Sequence, residues 1–593
     1  MEQFIEKISK EVKAAFLICG YEEKYGQIAI SNRPDLCQYQ CNGALAAAKQ
    51  YKKAPIIIAK EVVEQLSKKS IFQEVQAAAP GFINLTITSE FLADYLEEMA
   101  LYPKLGYEEE KEKKTIIVDY GGANIAKPLH VGHLRSAIIG ESIKRIHRFA
   151  GNHVIGDVHL GDWGLQMGLI IEQLREEKPD LIYFQEKESL REYPQEAPFT
   201  ISELEEIYPK ASAKSKQDQT FLERAHIATL KLQNGDPAYR ALWNHIRNVS
   251  ITDLKKNYEN LNTEFDLWKG ESDVQNEIAP MLENMVNQKI AYESRGALVV
   301  DVAEETDTKE IPPCLIQKSD GAALYATSDL ATIIERERLY HPDYYIYLAD
   351  KRQELHFIQV FRTAKKASLV PDDRKMQFLG FGTMNGKDGK PFKTREGGVM
   401  RLEYLIEEIN EAVYQKIQSG QKVPEEEARQ IAKVVGLAAL KYGDLSNQIA
   451  KDYIFDVERF SSLEGDTGPY ILYTMVRIKS ILKKYEELTG QKSELCKSMK
   501  GITNRSKSEI NLMLTAAGFS EMITGAIKEN APHKICQYIY ALANAFNSFY
   551  HENKIITEED KQKQQTWIAQ LRLLFCILSV CIDLLGFEVP DRM

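Results

Sequence analysis

A multidomain α/β protein is predicted, with a doubly wound parallel sheet, an N-terminal α+β unit and a C-terminal all-α bundle. Three observations in the 593-residue sequence predict it. TIIVDY at 115–120 is a breaker-free β-branched run, followed by the loop GGANIAKPLH, the helical pattern VGHLRSAIIGESIKRIHRFAG and the strand-like NHVIGDVHL. Strand, loop, helix and strand in that order make a βαβ unit and hence a parallel sheet. DYYIYLA (343–349), LHFIQVFRTAKKA and KMQFLGFG repeat the pattern, and from about 425 apolar residues recur at three- and four-residue spacing.

Taken in order, residues 1–110 carry amphipathic helices (GALAAAKQYKKA, AKEVVEQLSKK) ahead of GFINLTITSEF, whose Phe82, Asn84, Thr86 alternation suits a strand. The charged run YEEEKEKK at 107–114 marks a boundary, and residues 111–425 hold the parallel sheet with its insertions. Residues 426–593 form the helical bundle, with ARQIAKVVGLAALKYGDL, YILYTMVRIKSILKKYEEL and YIYALANAFNSFYHENKI as its helices.

Composition excludes several classes. With 44% hydrophobic and 27% charged residues the chain is ordinary globular protein, large enough to bury its cores without disulfides. The eight cysteines include no C-x-x-C pair and sit mostly in apolar patterns, which reads as reduced, buried thiols without structural zinc. LLFCILSVCIDLL (573–585) is shorter than the roughly 20 residues of a membrane span, and no signal peptide opens the chain, so a cytoplasmic protein is expected. The net charge of −11 opposes a nonspecific nucleic-acid coat, yet 471–510 carries nine Lys/Arg against four Asp/Glu. Such a stretch is either a solvated helix face or a local polyanion site.

Three readings compete for His130 and His133. Zinc on a helix uses H-E-x-x-H, whereas the spacing here is i, i+3 with Gly132 between and no Glu. A core role fits poorly in a loop rich in Gly, Asn and Lys. Anion binding fits a loop leaving a parallel strand for a helix, where free N–H groups and the helix dipole favour phosphate. Imidazoles donate to phosphate oxygens, Gly132 permits close approach, and Lys127 adds a mobile charge. Neither a glycine-rich dinucleotide fingerprint nor a P-loop is present.

A-N-I-A-K-P-L-H-V-G-H-L-R-S resembles the first signature of class I aminoacyl-tRNA synthetases in its arginyl-tRNA synthetase form. HLGDWGLQMG (159–168), FDLWKGES (265–272), GAALYATSDLA (321–331), GKPFKTREGG (389–398), DTGPYILY (466–473) and LLGFEVPDRM (584–593) extend the resemblance over essentially the whole chain. It implies a Rossmann-like class I catalytic core, an N-terminal domain touching the outer corner of tRNA, and a C-terminal anticodon-binding domain. The implied reaction joins L-arginine and ATP into arginyl-adenylate with release of pyrophosphate, then passes arginine to the terminal ribose of tRNA(Arg).

The resemblance assigns His130 and His133 to the ATP phosphates, with Ala123, Leu129, Val131, Gly132, His356 and Met400 lining the nucleotide. The usual K-M-S-K-S loop is replaced by G-K-P-F-K-T-R-E-G-G, so the second phosphate-gripping charge falls to Lys127, Lys393 or Arg395. Asp119 and Asn124 are assigned to the α-amino or carboxylate end of arginine, and Tyr325, Asp329 and Gln353 to its guanidinium. Guanidinium offers five donors and accepts nothing, so its site needs carboxylates. Asp329 reads equally as the N-cap of DLATIIERERL. Phe82 and Asn84 are expected on tRNA in the N-terminal unit, and Tyr470, Tyr473 and Arg477 in the bundle. Aromatics such as Phe549 read as base-stacking or core. Mg2+ accompanies ATP, and no tightly bound metal or organic cofactor and no membrane are expected. A monomer is the family's habit. The span of about 260 residues between the signatures is short for an editing insertion. The alternatives are a class I synthetase for another amino acid, such as cysteine, and an RNA-binding paralogue without chemistry.

Overall fold

The computed structural model describes residues 1–185, 192–319, 321–390, 400–420, 423–502 and 504–593. The chain forms two compact units, each discontinuous in sequence. One joins Met1–Glu109 to Leu463–Asp583 and Glu588–Met593, and the other comprises Glu110–Ser462 with Leu584–Phe587.

The second unit holds a four-stranded parallel sheet in the order Lys375–Phe381, Tyr344–Asp350, Thr115–Asp119, His153–Asp157. Ile116, Ile117 and Val118 are fully buried, as a strand covered on both faces requires. The chain winds from Thr115–Asp119 to one neighbour first and to the other much later. The winding therefore reverses between Thr115–Asp119 and Tyr344–Asp350, and the crevice beyond their carboxyl ends is where open α/β sheets bind ligands. Register places Tyr347, Asp119 and Asp157 side by side at those ends.

Helix Val131–Phe149 leaves the first strand's loop and is clamped deep in this unit. Arg135, 1% exposed, donates to Asp444 Oδ2 (3.1 Å) and to the carbonyls of Gly382 (2.7 Å) and Lys451 (3.1 Å). The Tyr453 hydroxyl donates to the same Asp444 oxygen at 2.9 Å. Further along the helix, Ser142 Oγ donates to the Leu584 carbonyl at 2.9 Å. The Gly586 carbonyl accepts from Lys441 Nζ (2.8 Å) and Asn262 Nδ2 (3.1 Å). Burial lowers the Lys441 ammonium to about 7. Residues 584–587 thus form a plug built into the sheet-bearing unit.

Insertions in this unit comprise helices Leu165–Glu177, Ile201–Ser215, Gln219–Gln233 and Pro237–Asn260, together with an antiparallel sheet of Ala291–Ser294, Ala297–Val300 and Cys314–Gln317. Helix Glu425–Leu445, grouped by its periodicity with the C-terminal bundle, packs instead on Leu402–Gly420 in this unit. An amphipathic stripe such as Ala432, Val435, Ala439 announces a helix without naming its partner.

The first unit has an antiparallel sheet in the order Ile28–Ile30, Tyr39–Cys41, Phe82–Ile87, Phe72–Ala78. It shares this unit with helices Gly468–Thr489, Lys507–Ala517, Phe519–Glu529, Pro532–Glu552 and Lys561–Leu585. The Ile5 N–H donates to Glu521 Oε1 at 2.9 Å. Two segments, Lys507–Glu529 and Lys561–Leu585, are long and apolar enough to cross a membrane by length and composition, the second containing the apolar run 573–585. In Lys561–Leu585, 67% of the apolar window is buried within the protein, with Trp567, Ile568, Leu571 and Leu578 facing the core. The cysteines also need a correction, since Cys576 is exposed and Cys19 half-buried while the other six are buried.

Candidate active site

His130 occupies the N-cap of helix Val131–Phe149, and the two histidines cap it reciprocally. His130 Nδ1 accepts the Gly132 N–H (3.0 Å), while His133 Nδ1 accepts the His130 N–H (3.1 Å). With both Nδ1 atoms accepting, each neutral ring carries its proton on Nε2 and presents it as a donor. The ring centres lie 3.9 Å apart. Burial lowers both pKa values, helped at His130 by Lys127 and at His133 by His130 and then Lys127; His133 falls to about 3. The pair therefore acts as neutral hydrogen-bond donors at physiological pH. A Cβ on Gly132 would lie 2.7 Å from His130 Cε1, so this glycine leaves room for the ring itself.

The segment returning from the second-signature loop is stitched to this cap. The Val131 N–H donates to the Met400 carbonyl (3.1 Å) and the Leu402 N–H to the Leu129 carbonyl (3.0 Å). Leu129, Val131, Gly132 and Met400, all expected at the nucleotide, are thereby brought together. Lys393 and Arg395 lie outside the described residues.

The loop before the cap is equally anchored. The Ala123 carbonyl accepts the Gly161 N–H (3.1 Å), and Asn124 bridges Gly161. Ala126, at φ 57°, donates its N–H to Ser250 Oγ at 2.9 Å. Lys127 lies over the Tyr208 ring, 4.5 Å from its centroid. Tyr208 belongs to the inserted helix Ile201–Ser215, whose Glu205 pairs with Arg401 at 2.7 Å. Sequence reading missed both residues, and an acidic helix some 80 positions from Lys127 gives no signal that it covers this loop.

The residues expected at the guanidinium centre on helix Tyr325–Tyr340. Its N-cap is Leu324, so Asp329 sits inside the second turn and the capping alternative falls away. Asp329 Oδ2 meets His356 Nε2 at 2.6 Å, placing a residue expected at the nucleotide against one expected at the guanidinium. Tyr325 is 74% exposed and Gln353 stands exposed in the turn Lys351–Gln353. Glu271, quoted within FDLWKGES but given no role, joins this group. Burial, then the negative charges of Asp162 and Asp329, push its carboxyl up to about 8. Glu271 also acts on Tyr325, as does Tyr208. Geometry joins these residues in three groups, His130 with His133, Lys127 with Tyr208 and Asp329 with His356, and charge acting through space relates Lys127 to His130, and Glu271 to both Tyr325 and Asp329.

Asp119 lies at the end of its strand and accepts from Arg336 Nη2 at 2.6 Å. Burial raises its pKa against the opposing pull of Arg336. Asp119, Asp157 and His159 hold ligand atoms within 4.8 Å of one another, the one such group among the described residues. Arg336 already bridges the two carboxylates, so the trio does not fit a resident metal ion.

In the other unit, Tyr470, Tyr473 and Arg477 lie on helix Gly468–Thr489, where Tyr470 and Arg477 meet asparagines of helix Pro532–Glu552. The Tyr470 hydroxyl donates to Asn544 Oδ1 (2.7 Å), Arg477 Nη1 to Asn547 Oδ1 (2.8 Å) and Arg477 Nη2 to the Tyr473 hydroxyl (3.0 Å). Phe549 is fully buried, which settles it as core. Asn84 is buried, its Oδ1 accepting from Gln40 Nε2 at 2.9 Å, and Phe82 is half-buried.

Comparison with known proteins matches this arrangement to one family. Residues 97–457 match the model for tRNA synthetases class I (R), catalytic domain. Residues 471–593 match the DALR anticodon binding domain and 2–87 the arginyl tRNA synthetase N terminal domain. The chain is 58% identical to the arginine–tRNA ligase of Agathobacter rectalis and 55% to that of Alkaliphilus oremlandii, with all of each chain covered. Its fold resembles the solved arginyl-tRNA synthetases of Plasmodium falciparum (TM-score 0.81, 24% identity) and Thermus thermophilus (TM-score 0.76, 20% identity), again over all of each chain. Three matching domains and relatives more than half identical over the full chain lead to one conclusion: the chain belongs to the class I arginyl-tRNA synthetase family.

Proposed function

We propose that this chain is an arginine–tRNA ligase whose residues divide the work as follows. ATP lies in the crevice with its phosphates on the Nε2–H groups of His130 and His133. There they stabilise charge developing as the arginine carboxylate attacks the α-phosphate and pyrophosphate leaves. Such positioned donors cost no reorganisation at the moment of reaction. Lys127, cradled on Tyr208, supplies mobile charge to the polyphosphate, with Lys393 and Arg395 as further candidates. Mg2+ bound to the triphosphate neutralises charge and arrives with the substrate.

Asp119 and Asn124 hold the α-amino end, while Asp329, Glu271, Tyr325 and Gln353 receive the guanidinium. The observation that carries the reading is the reciprocal histidine cap, which leaves two Nε2–H donors at the carboxyl end of the parallel sheet. An uncharged side chain would leave the Asp329 and Glu271 carboxylates unpaired, a strong basis for rejection. The Tyr470–Tyr473–Arg477 face is offered to tRNA(Arg), where an exposed ring and guanidinium suit unpaired bases. Phe82 remains a candidate tRNA contact, whereas Asn84 is committed to Gln40. The enzyme is read as a cytoplasmic monomer, since its apolar helices pack as bundle core.

Arginine-dependent ATP–pyrophosphate exchange, with and without tRNA(Arg) and with lysine and cysteine controls, tests the reading. Exchange with arginine alone among the three is expected. Folded protein giving no exchange under either condition would leave an RNA-binding paralogue in its place.

A further inference from the structure

The helix Tyr325–Tyr340 carries charge at both ends of the proposed amino-acid pocket. Asp329 lies near its start and Arg336 seven residues later, about 10 Å along the axis and on the same face. Arg336 is 1% exposed, although the surrounding IIERERLY reads as a solvated charged face. Its Nη2 donates to Asp119 Oδ2 (2.6 Å) and Asp157 Oδ2 (2.7 Å), and its Nη1 to the Tyr347 hydroxyl (3.1 Å). Those three partners sit in one register row across the carboxyl ends of three adjacent strands. Two carboxylates and one guanidinium leave a net charge of −1. Asp119, whose side chain keeps 19% exposure while Asp157 keeps 1%, is the carboxylate that remains open to a ligand.

We infer that Arg336 is a positioning residue that sets the length of the arginine pocket. It ties the helix bearing the guanidinium reader Asp329 to the strand bearing the ammonium reader Asp119. The separation of the two readers is then set by one planar guanidinium, whose Nη2 is shared by Asp119 and Asp157 and whose Nη1 holds Tyr347, rather than by loop packing. The inference rests on the proposed roles of Asp119 and Asp329.

The test is the ratio of kcat/KM for arginine to that for homoarginine, one methylene longer, in tRNA-supported exchange. One methylene is worth roughly 10- to 200-fold in a fitted pocket. Arg336→Lys keeps the charge but loses the planar guanidinium that reaches all three partners. We expect it to raise the KM for arginine at least tenfold, to narrow the ratio about tenfold, and to leave the KM for ATP within twofold. Tyr347→Phe removes one of the three bonds without touching charge and should narrow the ratio in the same direction by less, which keeps the test open if Arg336→Lys does not fold. Loss of arginine affinity with an unchanged ratio in both variants would overturn the inference. Asp329→Asn run alongside separates the two levels: an unchanged arginine KM there sinks the pocket assignment, whereas a raised KM with unchanged ratios in the other variants sinks only the ruler.

Discussion

Replacing His133 by asparagine separates two jobs that one imidazole performs. Its Nδ1 accepts the His130 N–H at 3.1 Å and so helps cap helix Val131–Phe149, while its Nε2–H is the donor proposed for phosphate. Asparagine carries an acceptor where Nδ1 stood but has nothing at the Nε2 position. The ring is already neutral, its pKa held near 3, so the substitution changes no charge and any loss reports the missing donor. Loss of one preorganised donor costs about 10²–10³ in kcat, or about 2.7–4 kcal/mol. His133→Ala loses the cap acceptor as well, a further ~1 kcal/mol of helix stability. The assay is arginine-dependent pyrophosphate exchange with tRNA present, paired with thermal unfolding of each variant. His133→Asn should show kcat and kcat/KM falling together with the unfolding midpoint nearly unmoved, the mark of an interaction made in the transition state. His133→Ala should show the same kinetic loss and a lower midpoint. Asparagine retaining more than a third of parental kcat would refute the reasoning, because the cap would then be the histidine's whole contribution.

Asp329→Asn should raise the KM for arginine well over tenfold in the same assay, with the KM for ATP steady. The arginine KM should also fall as pH rises from 7 through 8: Glu271 holds its proton below about 8 and presents a carboxylate to the guanidinium above it. The change is bounded at tenfold per pH unit, and a Glu271→Gln profile should be flat over that window. Arg135→Met strands the buried Asp444 carboxylate and should destabilise the sheet-bearing unit by roughly 3–5 kcal/mol in denaturant unfolding, with Asp444→Leu added to it restoring part of the loss. Arg477→Ala should raise the KM for tRNA(Arg) in aminoacylation without shifting the unfolding midpoint by more than a degree or two, since its partners Tyr473 and Asn547 keep access to water.

Periodicity and local chemistry carried the fold a long way. TIIVDY and DYYIYLA are strands because β-branched and aromatic residues buried on both faces leave little choice, and KMQFLGFG pairs beside them as a half-buried edge strand. What stayed hidden was pairing across long sequence distances. Tyr208 and Glu205 lie on an acidic inserted helix that looks merely solvated, yet they meet Lys127 and Arg401. Arg336 was concealed for the opposite reason. It shares ERER with Arg338, which pairs with Glu277 at the surface, and a helical pattern at one-residue resolution does not say which arginine turns inward. The association of residues 1–109 with 463–583 likewise leaves no local trace, because amphipathic stripes record that a face is covered and not by what.

The plug at 584–587 has a consequence for how the protein is made. Lys441 is buried with its ammonium on the Gly586 and Asn262 carbonyls, and Ser142 on the helix that the histidines cap donates to Leu584. A ribosome therefore emits nearly the whole sheet-bearing unit before the Leu584 and Gly586 carbonyls exist, and the other unit waits likewise for its partner segment beyond 463. Domain-by-domain maturation from the N-terminus, the usual course for long chains, gives way to closure of both units late in synthesis. Nascent copies stalled short of Leu584 would hold the histidine-capped helix with its Ser142 still lacking the Leu584 carbonyl. They would be prey for proteases before they could compete for tRNA.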